Sequence, residues 1–316
     1  MIDKIISSLY RSSKNEYNLD ITTYTPITSK SFKVITKNNE KYIIKKTNDK
    51  SNSKYLFLKN EGVENIIYPI KSFNNLFSTR LVNNSYCNES YCILPFLENN
   101  NVLNQTKVKG LLESLKQLHY KTSFYKKLNI VKSKSKIDEM ISYLNYKFSI
   151  LEAFIRTIEA RPFDEFSIPI LKNYHYILKA KQILIEKNKY IIDNIKNEKS
   201  VLFCFLHNNP KLDHLIINNG EKYLISIDNG VIGIPSLDIA KYYIENCDID
   251  YDISKDIMEY FKDYDDEFYL NYFIFLVLFI YVKNINIEDK DYISTQTFIY
   301  SSNSIKKFIK NFNIEV

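Results

Sequence analysis

The 316-residue sequence has no tryptophan and three methionines, and it carries five glycines, seven prolines, four cysteines and four histidines. So few cysteines, at Cys87, Cys92, Cys204 and Cys247 with no CxxC pair, exclude a disulfide framework and a structural zinc site, and they fit a reducing compartment. No glycine precedes Gly62, so the first sixty residues hold no glycine-rich phosphate loop. The longest apolar run, Phe273 to Val282, is too short to span a bilayer and reads as a core helix between Asn271 and Lys283. The opening Met1-Ile2-Asp3-Lys4 leads into charged and polar residues, not a secretory leader. The net charge of +6 is spread along the chain, and its densest cluster, Lys132, Lys134 and Lys136, is followed at once by Asp138 and Glu139. No single basic face emerges, which argues against nucleic-acid and membrane partners. In so asparagine-rich a chain, the glycosylation triplets at Asn83, Asn88 and Asn104 carry no weight.

What is abundant is pattern. Over the first hundred residues, short β-like runs alternate with polar turns: 32–36, 41–45, Leu76 to Val82 and Tyr91 to Phe96. From about residue 106 the apolar period becomes helical. Val108, Leu111, Leu112, Leu115 and Leu118 share one face, and Ile137 to Ile158 form a longer stripe that Pro162 closes. Further helical stripes run through Ile177, Leu184 and Ile191, and from residue 238 to Phe312. One β-like island, 201–228, interrupts the helices, and its Asn219-Gly220 pair between apolar runs signals a tight hairpin. The expected fold is α+β, with a β-rich lobe over 1–95, a helical lobe over 96–316 and a join near Pro95.

Within the island, His207-Asn208-Asn209-Pro210-Lys211-Leu212-Asp213-His214 precedes Ser226-Ile227-Asp228, and Gly233, Pro235, Asp238, Ile239 and Ala240 follow. This order resembles the HGDxxxxN, DFD and GxPxxDLA pattern of the aminoglycoside and choline phosphotransferases, which share the two-lobed protein-kinase-like fold. Leu118-His119-Tyr120-Lys121-Thr122 and Cys92 to Glu98 are similar to the LHxxT segment and interlobe hinge of the spore-coat CotS group.

The resemblance implies roles for individual positions. The proton-accepting Asp falls on Asn209, the metal-binding Asn on His214 and the first metal Asp on Ser226, while His207 and Asp228 are retained. Lys45 stands where the family's phosphate-contacting lysine would be. Ser29, in the serine- and threonine-rich first hairpin, and Leu94 and Phe96, in the hinge, stand where a nucleotide would bind. Asp213 is the one nearby carboxylate that a rebuilt site would use as its base.

An amide is no useful base at neutral pH, and loss of a general base costs about 10²–10⁴-fold in rate. The loss of an anion at 226 also weakens a site for magnesium, which prefers oxygen. The sequence therefore implies a pseudokinase-type scaffold, cytoplasmic or in the spore coat, whose partners are proteins, coat or sporulation proteins among them. No cofactor is expected on this reading, and nucleotide binding is expected to be weak or absent. Two alternatives stay open: an ATP- and magnesium-dependent kinase of a small-molecule hydroxyl, and a nucleotide sensor. Asn209, His214, Ser226 and Asp228 are expected together at the mouth of the interlobe cleft.

Overall fold

The computed structural model describes residues 2–48, 50–80, 90–160, 165, 167–264, 266–287 and 292–315, with the backbone alone for 2–9 and 292–294. The expected strand ending at Val82, the residues Asn83, Cys87 and Asn88, and Pro162 as a helix stop lie outside or run beyond the described residues. The chain forms two compact units, each built from two stretches: 1–123 with 204–232, and 124–203 with 233–316. The sequence division at residue 95 separates strand-rich from helix-rich chain, whereas the compact units divide elsewhere, because the hairpin island packs with the first sheet.

In the first unit, helix α1 (Ile2–Tyr17) precedes strands β1 (Ile21–Thr28), β2 (Ser31–Thr36) and β3 (Lys41–Thr47). Helix α2 (Ser51–Asn60) then leads to β4 (Thr79–Arg80) and β5 (Ser90–Pro95). The five strands form an antiparallel sheet in the order β1-β2-β3-β5-β4. Alternation sorts its side chains. Ile44 of β3 and Tyr91 and Ile93 of β5 join Tyr17, Leu19 and Val34 in one core. Cys92 and Leu94 turn to the opposite face with Ile67, where Ile43, Ile216, Tyr223 and Ile225 cover them. Lys45 pairs across the ladder with Cys92. Helix α1 was not among the expected elements, and β1 is the first arm of the hairpin whose turn holds Ser29.

Helix α3 (Asn104–Lys121) packs on the island hairpin. A Cβ at Gly110 would lie 3.2 Å from Leu215 and 3.3 Å from Lys222, so a glycine there permits the close approach. The hairpin joins β8 (Leu215–Asn218) to β9 (Glu221–Leu224), and its turn residues Asn219 and Gly220 have φ of 50° and 85°. These left-handed values are those of the tight turn that an Asn-Gly pair favours. A parallel bridge between Ile66 and Leu224, with Leu224 N donating to Asn65 O at 2.8 Å, ties the hairpin to the segment after α2.

The second unit begins with β6 (Phe124–Lys127), which pairs antiparallel with β7 (Ser200–Leu206). The chain crosses between units within β7 and again within β10 (Val231–Gly233). The rest is helical: α4 (Ile130–Glu159), α5 (Ser167–Lys196), α6 (Ser236–Asn246), α7 (Ser254–Lys262), α8 (Glu267–Asn284) and α9 (Tyr292–Asn311). Helix α8 is long and apolar enough to cross a membrane by composition. It packs instead against α4, α5, α6 and α9, with Phe273, Phe275, Val277, Leu278 and Val282 fully buried, as the core-helix reading expected. Cys92, Cys204 and Cys247 are buried and form no disulfide.

Candidate functional site

A cavity of about 760 Å³ opens in the first unit. Its apolar lining includes Ile27, Ile43, Ile67, Leu94, Phe96 and Ile225. Its polar lining includes Lys30, Lys45 and Lys46 with Asn209, Asp213, His214, Ser226 and Asp228. The four island residues expected together thus line one cavity, and Lys45, Leu94 and Phe96 line it too. Ser29 does not line it; it sits in the exposed two-residue turn between Thr28 and Ser31, which pair directly. His207 is fully buried behind it.

Lys45 reaches its place because β3 alternates, putting it on the same sheet face as Ile43. Its Nζ lies 2.8 Å from Asp228 Oδ2 and donates to Ser226 Oγ at 3.2 Å. Ser226 adopts φ 65° and ψ 35°, and this left-handed step starts the 3₁₀ turn that carries Asp228. Asp228 is buried, and its Oδ1 has no hydrogen-bond partner. The main-chain oxygen of Asp228 accepts from Asn48 Nδ2 at 3.2 Å and from the ammonium of Lys54 in α2. Burial pushes the Lys54 pKa down, against the pull of Asp228 and with the push of Lys50. Cys92, across the ladder from Lys45, has its thiol pushed up to about 12 by burial first and Asp228 second. Lys54 is a site residue that the sequence motifs do not mark.

The loop before β8 is held by two imidazoles. His207 Nε2 lies 2.7 Å from Ile225 O, so it is the protonated nitrogen, and Nδ1 accepts from Asn209 N at 3.3 Å. His214 Nδ1 donates to Asn209 O at 2.8 Å, which leaves His214 Nε2 without a proton when the ring is neutral. Asn209 is therefore fixed by its main chain from both sides. The side chain of Asp213 is 77% exposed, and its Oδ1 lies 4.0 Å from His214 Nε2. Thr122, the last residue of the LHxxT-like segment, accepts from Phe205 N at 2.9 Å and donates to Leu118 O at 2.7 Å, pinning the end of α3 to β7.

Solved structures share the fold of this chain. An aminoglycoside phosphotransferase from Alicyclobacillus acidocaldarius superposes with a TM-score of 0.58 at 9% identity, over 95% of this chain and 93% of that one. The fold is that of the aminoglycoside phosphotransferases. A spectinomycin phosphotransferase in an AMP-bound complex matches with a TM-score of 0.56 at 16% identity, over 98% of this chain and 99% of its own. An amicoumacin kinase, in complex with AMP-PNP, Ca²⁺ and Ami, matches with a TM-score of 0.51 at 10% identity, over 98% and 96%. No protein-family model matches the sequence, and no curated protein matches it.

Phosphoryl transfer uses magnesium, and Mg²⁺ takes near-octahedral oxygen ligands. Asp228 has one oxygen already paired with Lys45, the Ser226 hydroxyl accepts from the same ammonium, and the imidazole of His214 stands at the position the resemblance gives to a metal-binding Asn. Among the described residues, no group of three His, Cys, Asp or Glu side chains is gathered to hold a metal. One unpartnered buried oxygen, Asp228 Oδ1, is a single ligand. The residues present do not fit a magnesium site.

Proposed function

We propose that this chain is a pseudokinase-type member of the phosphotransferase-like fold, one that keeps a nucleotide-sized cleft and has lost phosphoryl transfer. The observation that carries this reading is position 209. The loop presents an amide there, with its main chain held by His207 and His214, and the residue has no proton-accepting capacity. Transfer of phosphate to a hydroxyl needs a group that orients the nucleophile and takes its proton. The cleft favours nucleotide occupancy more than the missing glycines did: the Lys45–Asp228 pair lines it with Lys30 and Lys46, and Leu94 and Phe96 add apolar surface for a flat ring. Output then passes through protein contacts in the cytoplasm or spore coat; for coat or sporulation proteins as partners, the support is the CotS-like segments alone.

The test is phosphotransfer from ATP to a panel of aminoglycosides, sugars and choline. No product is expected from the unmodified chain or from Asn209→Asp alone, because base and metal roles act as one unit. Robust magnesium-dependent product, abolished by Asp228→Ala, overturns the proposal. A second reading rests on Asp213, whose exposed carboxylate lines the cavity beside His214 Nε2. On that reading it serves as a relocated base, and Asp213→Asn abolishes turnover.

A further inference from the structure

Resting on the nucleotide-cleft reading, we propose that the cleft holds a nucleoside polyphosphate without a divalent cation, with the ammoniums of Lys45 and Lys54 standing in for the metal's charge. In protein kinases the strand lysine pairs with a glutamate from the adjacent helix, which leaves the aspartate free for metal. Here the adjacent helix, α2, contributes a lysine. Lys54 contacts the main-chain oxygen of Asp228 while Lys45 holds its carboxylate at 2.8 Å, so two positive charges meet on one residue. A doubly charged ion at Asp228 Oδ1 would stand against both of them.

The placement of Lys54 is itself informative. It lies in the first turn of α2, where the helix dipole is positive, and that turn has no acidic residue. A cation there is disfavoured by the dipole and by partial burial. Its position is relieved by an anion; Lys54 reaches the cavity through its contact with Asp228, and the cavity lining holds Lys30, Lys45 and Lys46 against Asp213 and Asp228. Three ammoniums against two carboxylates, with Lys54 on the main-chain oxygen of Asp228, leave a net positive lining suited to phosphate oxygens. The apolar lining at Leu94 and Phe96 suits a base.

The experiment is a thermal melt of the full chain with ATP, adenosine or inorganic tripolyphosphate, each in excess EDTA and in excess Mg²⁺. ATP in EDTA is expected to raise the melting temperature by about 5 °C at a hundredfold excess over Kd. Added Mg²⁺ is expected to give no further rise. Adenosine is expected to give none, and tripolyphosphate a smaller one than ATP. Lys54→Met is expected to lower ATP affinity at least tenfold, and Lys54→Arg to preserve it. A rise that requires Mg²⁺ overturns this inference and leaves the nucleotide cleft standing. The absence of any rise with ATP in either buffer overturns both. Should Lys54→Met fail to fold, the EDTA and Mg²⁺ arms on the unmodified chain decide alone.

Discussion

Position 230 requires glycine for want of space, not for its backbone angles. Its φ is −59°, which any residue adopts, but an added Cβ would lie 2.3 Å from Phe205 Cε1 and Cζ and 2.8 Å from Leu206 O. Gly230→Ala is therefore expected to cost about 1–3 kcal/mol, the usual scale of overpacking. Denaturant melts check this, and a Phe205→Leu background should recover part of the loss. A second residue ties stability to pH. Asp252 accepts from Ser254 N at 3.1 Å and from Ser254 Oγ at 2.5 Å, and these bonds hold its pKa below the usual carboxylate value of 3.8. A lowered folded pKa means that the contribution is present above the unfolded pKa and is lost as pH falls below 3.8 through the folded one. Asp252→Ala should cost about 1 kcal/mol at pH 7, with the difference from the unmodified chain closing in melts at strongly acid pH.

Among the elements, those with a strong period were the legible ones. The stripes of α3, α4, α5 and α9 were visible as 3.6-residue repeats, and the Asn219-Gly220 pair announced the β8–β9 turn. Strand β1 was legible only as an arm of the first hairpin and without bounds, because seven of its eight residues are exposed and nothing alternates. Strand β6, four residues all exposed, was missed for the same reason. Helix α1 is legible in the helical spacing of Ile2, Ile5, Ile6 and Leu9, a short stripe beside the polar residues that argue against a leader. At the site, likeness to a motif located Lys45, Asp228, His214 and Asn209, because such loops keep their order. It did not locate Lys54, because a lysine on a short helix carries no signal until the fold brings it to Asp228. The Asn-Gly turn also makes a prediction: Gly220→Val, at φ 85°, should cost about 1–2 kcal/mol, measured by chemical denaturation.

Across the whole molecule, the first unit cannot be completed from one stretch of chain. Ile216, Tyr223 and Ile225 cover Ile67, Cys92 and Leu94, and they lie beyond residue 203. Residues 1–95 or 1–123 expressed alone are expected to show no cooperative thermal transition. Joining residue 123 to residue 204 through a short Gly/Ser linker should restore one, since Thr122 and Phe205 are already hydrogen-bonded at 2.9 Å. A cooperative melt from 1–123 alone would refute the expectation.

The bridge between Ile66 and Leu224 has a consequence for synthesis. When residue 123 leaves the ribosome, Leu224 is still about 100 residues away, which is about 5–20 s at ordinary elongation rates. Throughout that interval the face carrying Ile67, Cys92 and Leu94 waits uncovered, and the intervening helices that emerge meanwhile belong to a unit that itself needs residues 233–316. The first unit can close only once residue 232 has emerged, and the second only after residue 316. Yield in the cell should therefore depend on holding chaperones and on translation speed across 124–203 more than on the equilibrium stability of the finished molecule.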